Sequence, residues 1–521
     1  MEKIKKILKN IFGNIISWIK KNPQEAFLLF IILGVAAFLR LYKIGDYMTF
    51  LGDEGRDAII VRRLLVNGDL ILIGPGTSIG NMYLGPLYYY LIAPALLLAN
   101  FSPVGPAVFI ALLGIITVFL VYWIGREWFG KAGGITASFL YTLSSVVIIY
   151  ARSSWNPNIM PFFALLVIYS LWRLWDRRQW YSLLVLGISY AFVLQSHYLG
   201  LLLLPTIGLF WLATLFEIRD KKYEIRRFLK FSLISVSLFA FLMSPLVIFD
   251  ARHGWQNFTA INKFFSERQT TVSARPWNAF PKLIPLSEKI TTRLITGKDT
   301  NAGATVTSIT LIGIFWLIFL GLRRSKTEIN KKALILIITW LGFALLGLGL
   351  YKQEIYDHYY GFFFAAPFLL VGAVLGYINS IRVWGKAVVL IALLVLVELS
   401  IKDNPLRNPP NNQLERTKEV SSKIRSEVGN EKFNLAVIAE RNYEDAYQYF
   451  LEAWDTGVSD INPQKLNETL GKYLFVVCEL PKDKCDPTHN PKAEVANFGW
   501  SKVESEWEVG GVILYKLAHA Q

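Results

Sequence analysis

The sequence predicts a polytopic α-helical membrane protein that carries a small α/β domain after its last span. Of its 521 residues, 53% are hydrophobic and 18% are charged, which is more apolar than a soluble core of this length requires. Long apolar runs bounded by charged residues recur along the chain, and an apolar run of about 20 residues crosses a bilayer as a helix. The composition then changes abruptly near Lys402, where a proline-containing linker begins.

About 11 spans meet this length criterion. We place them at residues 24–42, 105–125, 132–151, 158–174, 179–197, 199–217, 229–249, 305–322, 333–351, 358–380 and 386–401. The apolar run 84–99 is interrupted by Pro86 and Pro94. We therefore expect it to be a re-entrant or surface-lying part of the first external loop, where irregular backbone is tolerated if it lines a cavity.

The basic residues predict the orientation. Basic loops lie at 126–131, 173–178, 219–230, 323–332 and 382–386, and the span order above places all of them in the cytoplasm. Residues 1–23 are basic, with apolar residues at helical spacing. They predict a cytoplasmic amphipathic helix on the inner leaflet, the alternative being a solvated basic tail. The N-terminus is then cytoplasmic in the inner or plasma membrane, residues 24–401 form the transmembrane domain, and residues 402–521 lie outside.

Residues 402–521 have the pattern of a soluble α/β module. Strands are predicted at 433–439, 473–478 and 512–516, and helices at 414–428 and 443–454. Cys478 and Cys485 are the two cysteines of the chain. An extracytoplasmic compartment permits a disulfide between them, but their spacing does not decide whether one forms.

An acidic pair, Asp53-Glu54, follows the first span on its external side and is flanked by Gly52 and Gly55. A carboxylate there could accept a proton from an incoming hydroxyl or amine. The alternative is an ordinary solvated pair at a helix start, where acidic residues are favoured. If a phosphate leaves during the reaction, cationic groups are needed, and the external candidates are Arg56, Arg152, Lys352 and His358.

Four short motifs resemble family 39 glycosyltransferases, which include protein O-mannosyltransferases and lipid A aminoarabinose transferases of the GT-C fold. The first resembles their Asp-Glu-x-x-x-Ala signature, and the others match in order and spacing over residues 25–400. The four are Gly52-Asp53-Glu54-Gly55-Arg56-Asp57-Ala58, Gly85-Pro86-Leu87-Tyr88-Tyr89-Tyr90-Leu91, Gly125-Arg126-Glu127-Trp128-Phe129-Gly130 and Ala151-Arg152-Ser153.

This resemblance implies a donor in which the sugar is carried on polyprenyl phosphate, with no nucleotide sugar. It implies Asp53 as the catalytic base, Glu54 as its neighbour and Arg152 near the lipid phosphate. The reaction would be an inverting transfer to an extracytoplasmic lipid, glycan or protein acceptor. The substrate-binding candidates are Arg56, Tyr83, Arg152, His197, Lys352 and His358. For His197, at the external end of a span, a contact with backbone between helices is the competing interpretation.

We expect no metal and no cofactor. Related GT-C enzymes have an acidic residue in the second external loop, where this chain has Asn156 and Asn158, and a neutral amide is a poor ligand for a hard cation. Nothing in the sequence indicates a nucleic-acid partner. A transporter or flippase of lipid-linked sugars is the alternative, but it should show internal repeats and ionisable residues within the spans. A non-catalytic membrane anchor for the tail would not need so many spans.

Overall fold

A computed structural model of the chain describes residues 13–14, 16–77, 82–266, 271–322 and 329–520. Most of the amphipathic helix expected over residues 1–23, and most of the basic loop 323–332, lie outside the described residues. The α-helices are Pro23–Leu41, Ile44–Tyr47, Gly52–Asn67, Leu87–Leu98, Val104–Leu143, Ser145–Tyr150, Met160–Arg177, Ser182–Ser196, Leu204–Ile218, Lys222–Arg252, Gln256–Ser266, Leu283–Leu294, Thr300–Leu322, Lys331–Leu350, Ala365–Asn379, Arg382–Lys402, Gln413–Val428, Asp445–Ala453, Leu466–Thr469 and Ala493–Phe498.

Within the described ranges, eight helices are long and apolar enough to cross a membrane, and a ninth results if the bent pair Asp357–Phe363 and Ala365–Asn379 is counted as one. The expected number was about 11 by the length criterion. The difference has two sources. Helix Ser182–Ser196 is shorter than a typical span, and two predicted spans fall within the single element Val104–Leu143.

The Val104–Leu143 element is a pair of helices that fold back on each other at Gly130. Its backbone there is non-helical, with φ of 78° and ψ of 176°. A Cβ atom built on Gly134 would lie 2.6 Å from the carbonyl oxygen of Tyr122 and 2.6 Å from the nitrogen of Arg126. In one continuous helix these residues would be about 12–18 Å apart, at a rise of about 1.5 Å per residue. The two halves therefore correspond to two separate predicted spans.

The first loop contains the helix that was expected to be re-entrant or surface-lying. Helix Leu87–Leu98 has 12 residues, with Pro94 inside it, and is too short to cross about 30 Å of hydrocarbon. Before this helix, Gly76 and Tyr83 form an antiparallel bridge. The helix lies in the chain between the first two long helices, Pro23–Leu41 and Val104–Leu143.

The C-terminal residues 413–520, hereafter the tail domain, form a mixed four-stranded sheet packed against helices. The strands lie in the order β1-β2-β4-β3, with β1 and β2 parallel and the other pairs antiparallel. They are β1 (Phe433–Ile438), β2 (Tyr473–Cys478), β3 (Ser501–Val509) and β4 (Val512–His519). All three predicted strands are present, and the sequence reading missed β3. Cys478 and Cys485 form a disulfide.

The tail domain packs directly onto helix Gly52–Asn67, hereafter the acidic-pair helix. Two glycines on this helix permit the close approach. A Cβ atom on Gly52 would lie 2.3 Å from the ring of Tyr443, and one on Gly55 would lie 2.4 Å from the backbone of Asp445 and Ala446. About two turns further on, Arg63 forms an ion pair of 2.6 Å with Glu452. The acidic pair therefore lies at the junction between the first loop and the tail domain.

We expect Gly55→Ala to weaken this junction. The added methyl group would overlap backbone atoms rather than a flexible side chain, so one element must shift, at a cost of about 1–3 kcal/mol. Thermal unfolding in detergent and the protease sensitivity of the tail domain measure the effect. Gly208→Ala is the matched control, since nothing lies within 4 Å of its Cβ position. Equal stability of the two variants would contradict the close packing.

Candidate active site

The N–H groups at the start of the acidic-pair helix are hydrogen-bonded by side chains from both sides of the domain junction. The first N–H groups of a helix have no partner within it. Here the Leu51 N–H donates to Oε2 of Glu54 at 3.0 Å, and the Gly52 N–H donates to Oδ1 of Asn442, a tail-domain residue, at 2.9 Å. Glu54 is buried, and this burial raises its pKa to about 8. Glu54 is thus a buried capping residue, unlike a solvated carboxylate at a helix start.

Asp53 has the opposite environment, because 41% of its side chain is exposed. Its Oδ1 accepts two hydrogen bonds, from Nη1 of Arg56 at 2.8 Å and from the hydroxyl of Tyr443 at 2.7 Å. Its Oδ2 has no hydrogen-bond partner among the described residues. One oxygen of this carboxylate is therefore anchored, while the other remains available to a substrate.

Arg56 joins Asp53 to a second, buried carboxylate. Its Nε and Nη2 donate to Oδ1 of Asp57 at 3.1 and 2.8 Å, and the Tyr89 hydroxyl donates to the same oxygen at 3.1 Å. Asp57 is only 1% exposed, and its burial raises its pKa to about 6 despite the neighbouring guanidinium. Asp57 belongs to the signature motif, but the sequence alone indicated no role for it.

The second external loop packs beside these acids. The hydroxyls of Ser154 and Tyr88 are hydrogen-bonded at 2.7 Å, and Nδ2 of Asn156 donates to the carbonyl of Ser196 at 2.7 Å. A small, mainly apolar cavity separates this loop from the acidic-pair helix. It is lined by Met48, Phe50, Glu54, Asp57, Ala58, Ile92, Leu96, Pro103, Pro106 and Ser154. The two buried carboxylates, Glu54 and Asp57, therefore line this cavity.

Arg152 is hydrogen-bonded to the end of the first long helix rather than to the acidic residues. Its Nη1 and Nη2 donate to the backbone carbonyls of Leu39 and Tyr42, each at 2.7 Å, at the C-terminus of helix Pro23–Leu41. The guanidinium also stacks over the ring of Tyr47, and the residue is 3% exposed. Nε of Arg152 has no hydrogen-bond partner among the described residues, but it is buried, so a lipid phosphate could reach this side chain only if the surrounding groups moved. The geometry gives Arg152 the role of a helix C-cap.

Both histidines that were singled out belong to one group of rings, the His–aromatic cluster, made of Tyr150, Trp155, His197, His358 and Tyr359. Ring centroids are 4.8 Å apart for Trp155 and His358, 5.3 Å for His197 and Tyr359, and 5.9 Å for the two histidines. Nδ1 of His197 accepts a hydrogen bond of 3.1 Å from the backbone of Leu199. This backbone contact is local, two residues along the chain, and differs from the contact between helices that was the competing interpretation.

Tyr83 and Lys352 lie at the margins of this arrangement. The carbonyl of Tyr83 accepts a hydrogen bond of 2.6 Å from the hydroxyl of Tyr198, the neighbour of His197, and its ring packs edge-on against Phe249. Lys352 has an exposed side chain, and its backbone N–H donates to Thr271 at 2.9 Å. Asp53, Glu54 and Arg56 thus form one group, and His197 and His358 form another.

The sequence reading missed the contribution of the tail domain. Asn442 and Tyr443 come from the segment after β1 and both contact the start of the acidic-pair helix. Neither belongs to a recognisable motif, so no local signal could have identified them. Where the structure describes the chain, no three His, Cys, Asp or Glu side chains are grouped so as to hold a metal ion.

Residues 84–249 match the family described as dolichyl-phosphate-mannose-protein mannosyltransferase. The match covers less than half of the chain and includes helix Leu87–Leu98, the loop that contains Arg152 and the segment up to Phe249. No curated protein sequence matches the chain.

Solved structures show the same fold over most of the chain. ArnT from Cupriavidus metallidurans bound to undecaprenyl phosphate is 12% identical, with a TM-score of 0.57 over 93% of this chain and 97% of that one. The oligosaccharyltransferase AglB from Archaeoglobus fulgidus, in complex with an inhibitory peptide and a dolichol-phosphate, is 13% identical, with a TM-score of 0.51 over 88% of this chain and 70% of that one. At such identities the similarity concerns the fold.

We expect Arg152→Ala to destabilise the protein by about 3 kcal/mol, because two buried carbonyls lose their donors at about 1–3 kcal/mol each. Thermal unfolding in detergent measures the loss, and Arg219→Ala, at an exposed arginine, serves as the control. If Arg152→Ala instead keeps its stability and loses only turnover, Arg152 binds substrate and its capping role is wrong.

Proposed function

We propose that this chain, which has the GT-C fold, is a glycosyltransferase that moves a sugar from a polyprenyl-phosphate carrier to an extracytoplasmic acceptor. The acceptor would offer a hydroxyl or amine on a lipid, glycan or protein. Two similar folds were solved with undecaprenyl phosphate and dolichol-phosphate bound, which supports this carrier class. The same similarities give no support to the alternative of a transporter or flippase.

The observation that carries the proposal is the arrangement of Asp53. A general base must be ionised, must reach the proton that it removes and must be held in place. The carboxylate of Asp53 is exposed on one oxygen and anchored on the other by Arg56 and Tyr443. Glu54 cannot act in the same way, since it is buried and caps the helix. Of the adjacent pair, Asp53 is the base.

The proposed step is a single displacement at the anomeric carbon. Oδ2 of Asp53 accepts the proton of the acceptor hydroxyl or amine. At the same time the acceptor oxygen or nitrogen forms a bond to the anomeric carbon. The bond between this carbon and the phosphate oxygen breaks, and its electron pair leaves with the polyprenyl phosphate. Attack from the opposite face inverts the configuration. Charge grows on the leaving phosphate, so cationic groups placed there lower the barrier.

We assign the phosphate side to Lys352, which supplies the positive charge, and to His358, which can donate a hydrogen bond to the leaving phosphate. Arg152 is buried on backbone carbonyls, and Arg56 is engaged with two carboxylates. Lys352 is exposed on the same segment as His358, whose ring joins the second external loop through Trp155. We place the N-terminus in the cytoplasm of an inner or plasma membrane and the tail domain outside. The disulfide of the tail domain supports this orientation, since such bonds persist in oxidising compartments.

We expect Asp53→Asn to lower turnover about 10²- to 10⁴-fold, because an amide cannot accept the acceptor proton. Purified protein would be given synthetic polyprenyl-phosphate sugars, and the release of polyprenyl phosphate in the presence of membrane acceptors would be measured. The amide oxygen can still accept the bonds from Arg56 and Tyr443, so folding should be preserved. Asp69→Asn, at an exposed aspartate of the same loop, is the control. Near-normal turnover of Asp53→Asn would show that Asp53 is not the general base.

We expect activity to survive EDTA. The second external loop offers the amides of Asn156 and Asn158, whose Nδ2 groups donate to the backbone of Ser196 and Ser153. A cation would bind the amide oxygens, and a neutral amide oxygen is a weaker ligand for a hard cation than a carboxylate. The same release assay with and without chelator tests this. Loss of activity in EDTA with recovery on adding Mg²⁺ or Mn²⁺ would contradict the proposal.

A further inference from the structure

Two adjacent tail-domain residues reach the start of the acidic-pair helix. The hydroxyl of Tyr443 donates to Oδ1 of Asp53 at 2.7 Å. Nη1 of Arg56 donates to the same oxygen at 2.8 Å and to the Tyr443 hydroxyl oxygen at 3.2 Å. These three groups form a closed triangle of hydrogen bonds across the domain junction. The carboxylate therefore receives one donor from its own helix and one from the tail domain.

The position of Tyr443 is itself fixed by a buried network. Oδ1 of Asn442 accepts from the N–H of Gly52 and of Tyr443, both at 2.9 Å, while its Nδ2 donates to Glu479 at 2.6 Å. Glu479 also accepts from the Tyr447 hydroxyl at 2.7 Å. The Tyr443 ring lies against Gly52, where a side chain would leave it no room. The network thus sets the hydroxyl in one place relative to Asp53.

We infer that Tyr443 is a positioning residue for the base, so that the tail domain completes the active site. This inference rests on the proposed function. A carboxylate can rotate about its terminal bond, and two donors on Oδ1 hold its plane and leave Oδ2 directed at the acceptor. Preorganisation of this kind contributes to turnover because the base need not be reoriented during the reaction.

A role of Tyr443 in docking alone is distinguishable, because Tyr449 performs that role. Tyr449 donates its hydroxyl to the backbone carbonyl of Phe101 and so links the tail domain to the first loop without contacting Asp53. Replacing either tyrosine by phenylalanine removes one hydroxyl and keeps the ring. The two variants therefore separate positioning of the base from docking of the tail domain.

The test compares Tyr443→Phe with Tyr449→Phe in the full-length protein. The assay is polyprenyl phosphate release from the synthetic donor that the wild type consumes. We expect kcat of Tyr443→Phe to fall about 10- to 100-fold, as for loss of a hydrogen bond to a charged group, with KM for the donor unchanged. Tyr449→Phe should stay within about twofold of the wild type in kcat, since its hydroxyl contacts neither the base nor the network that holds Tyr443.

A double variant adds a second criterion. If Tyr443 acts through Asp53, Asp53→Asn with Tyr443→Phe should be no slower than Asp53→Asn alone. Unchanged kcat in Tyr443→Phe, a raised kcat, or an equal loss in Tyr449→Phe would each overturn the inference while leaving the proposed function intact. A wild type that releases no polyprenyl phosphate from any donor in the panel would overturn both.

Discussion

The guanidinium of Arg56 is the contact on which the rest of the site depends. It binds Asp53 through one nitrogen and Asp57 through two others, and it also donates to Tyr443. Asp57 is buried, with Oδ2 lacking a partner among the described groups, and without a cation its charged form would be costly to bury. Arg56 therefore keeps two carboxylates within one helical turn and presents one of them to the surface. Tyr89, on helix Leu87–Leu98, donates a hydrogen bond to the same oxygen of Asp57.

The glycines of the signature have a steric function that complements this charge arrangement. Gly52 and Gly55 lie on the face of the acidic-pair helix that meets the tail domain, three residues apart and so on neighbouring turns. With any side chain there, the tail-domain helix could not approach, and Asn442 and Tyr443 would not reach the helix start. The glycines of the signature therefore let the tail domain approach, and its charged residues then bind the tail-domain side chains that complete the helix N-terminus.

Sequence reasoning recovered what depends on local pattern. The membrane class, the short first-loop helix and the three predicted tail strands follow from composition, proline placement and apolar runs. Strand β3 was missed because its exposed face carries Lys502, Glu504 and Glu508, which resembles a loop. The sequence also placed two spans within Val104–Leu143, and the reversal at Gly130 separates two helices there. The Tyr443–Asp53 contact joins residues 390 positions apart, and no periodicity encodes such a pairing. The partners of Arg152 are backbone carbonyls, which sequence cannot reveal.

The two members of the acidic pair illustrate how adjacent residues acquire different chemistry. Successive helical residues point about 100° apart, since there are 3.6 residues per turn, so Asp53 and Glu54 cannot face the same surroundings. Asp53 is partly exposed and contacts the tail domain through Tyr443. Glu54 turns toward the apolar cavity, where burial raises its pKa to about 8 and an N–H of its own helix start holds it. Because one carboxylate is stabilised as a cap and kept from solvent, the other can be left exposed without unwinding the helix that carries it.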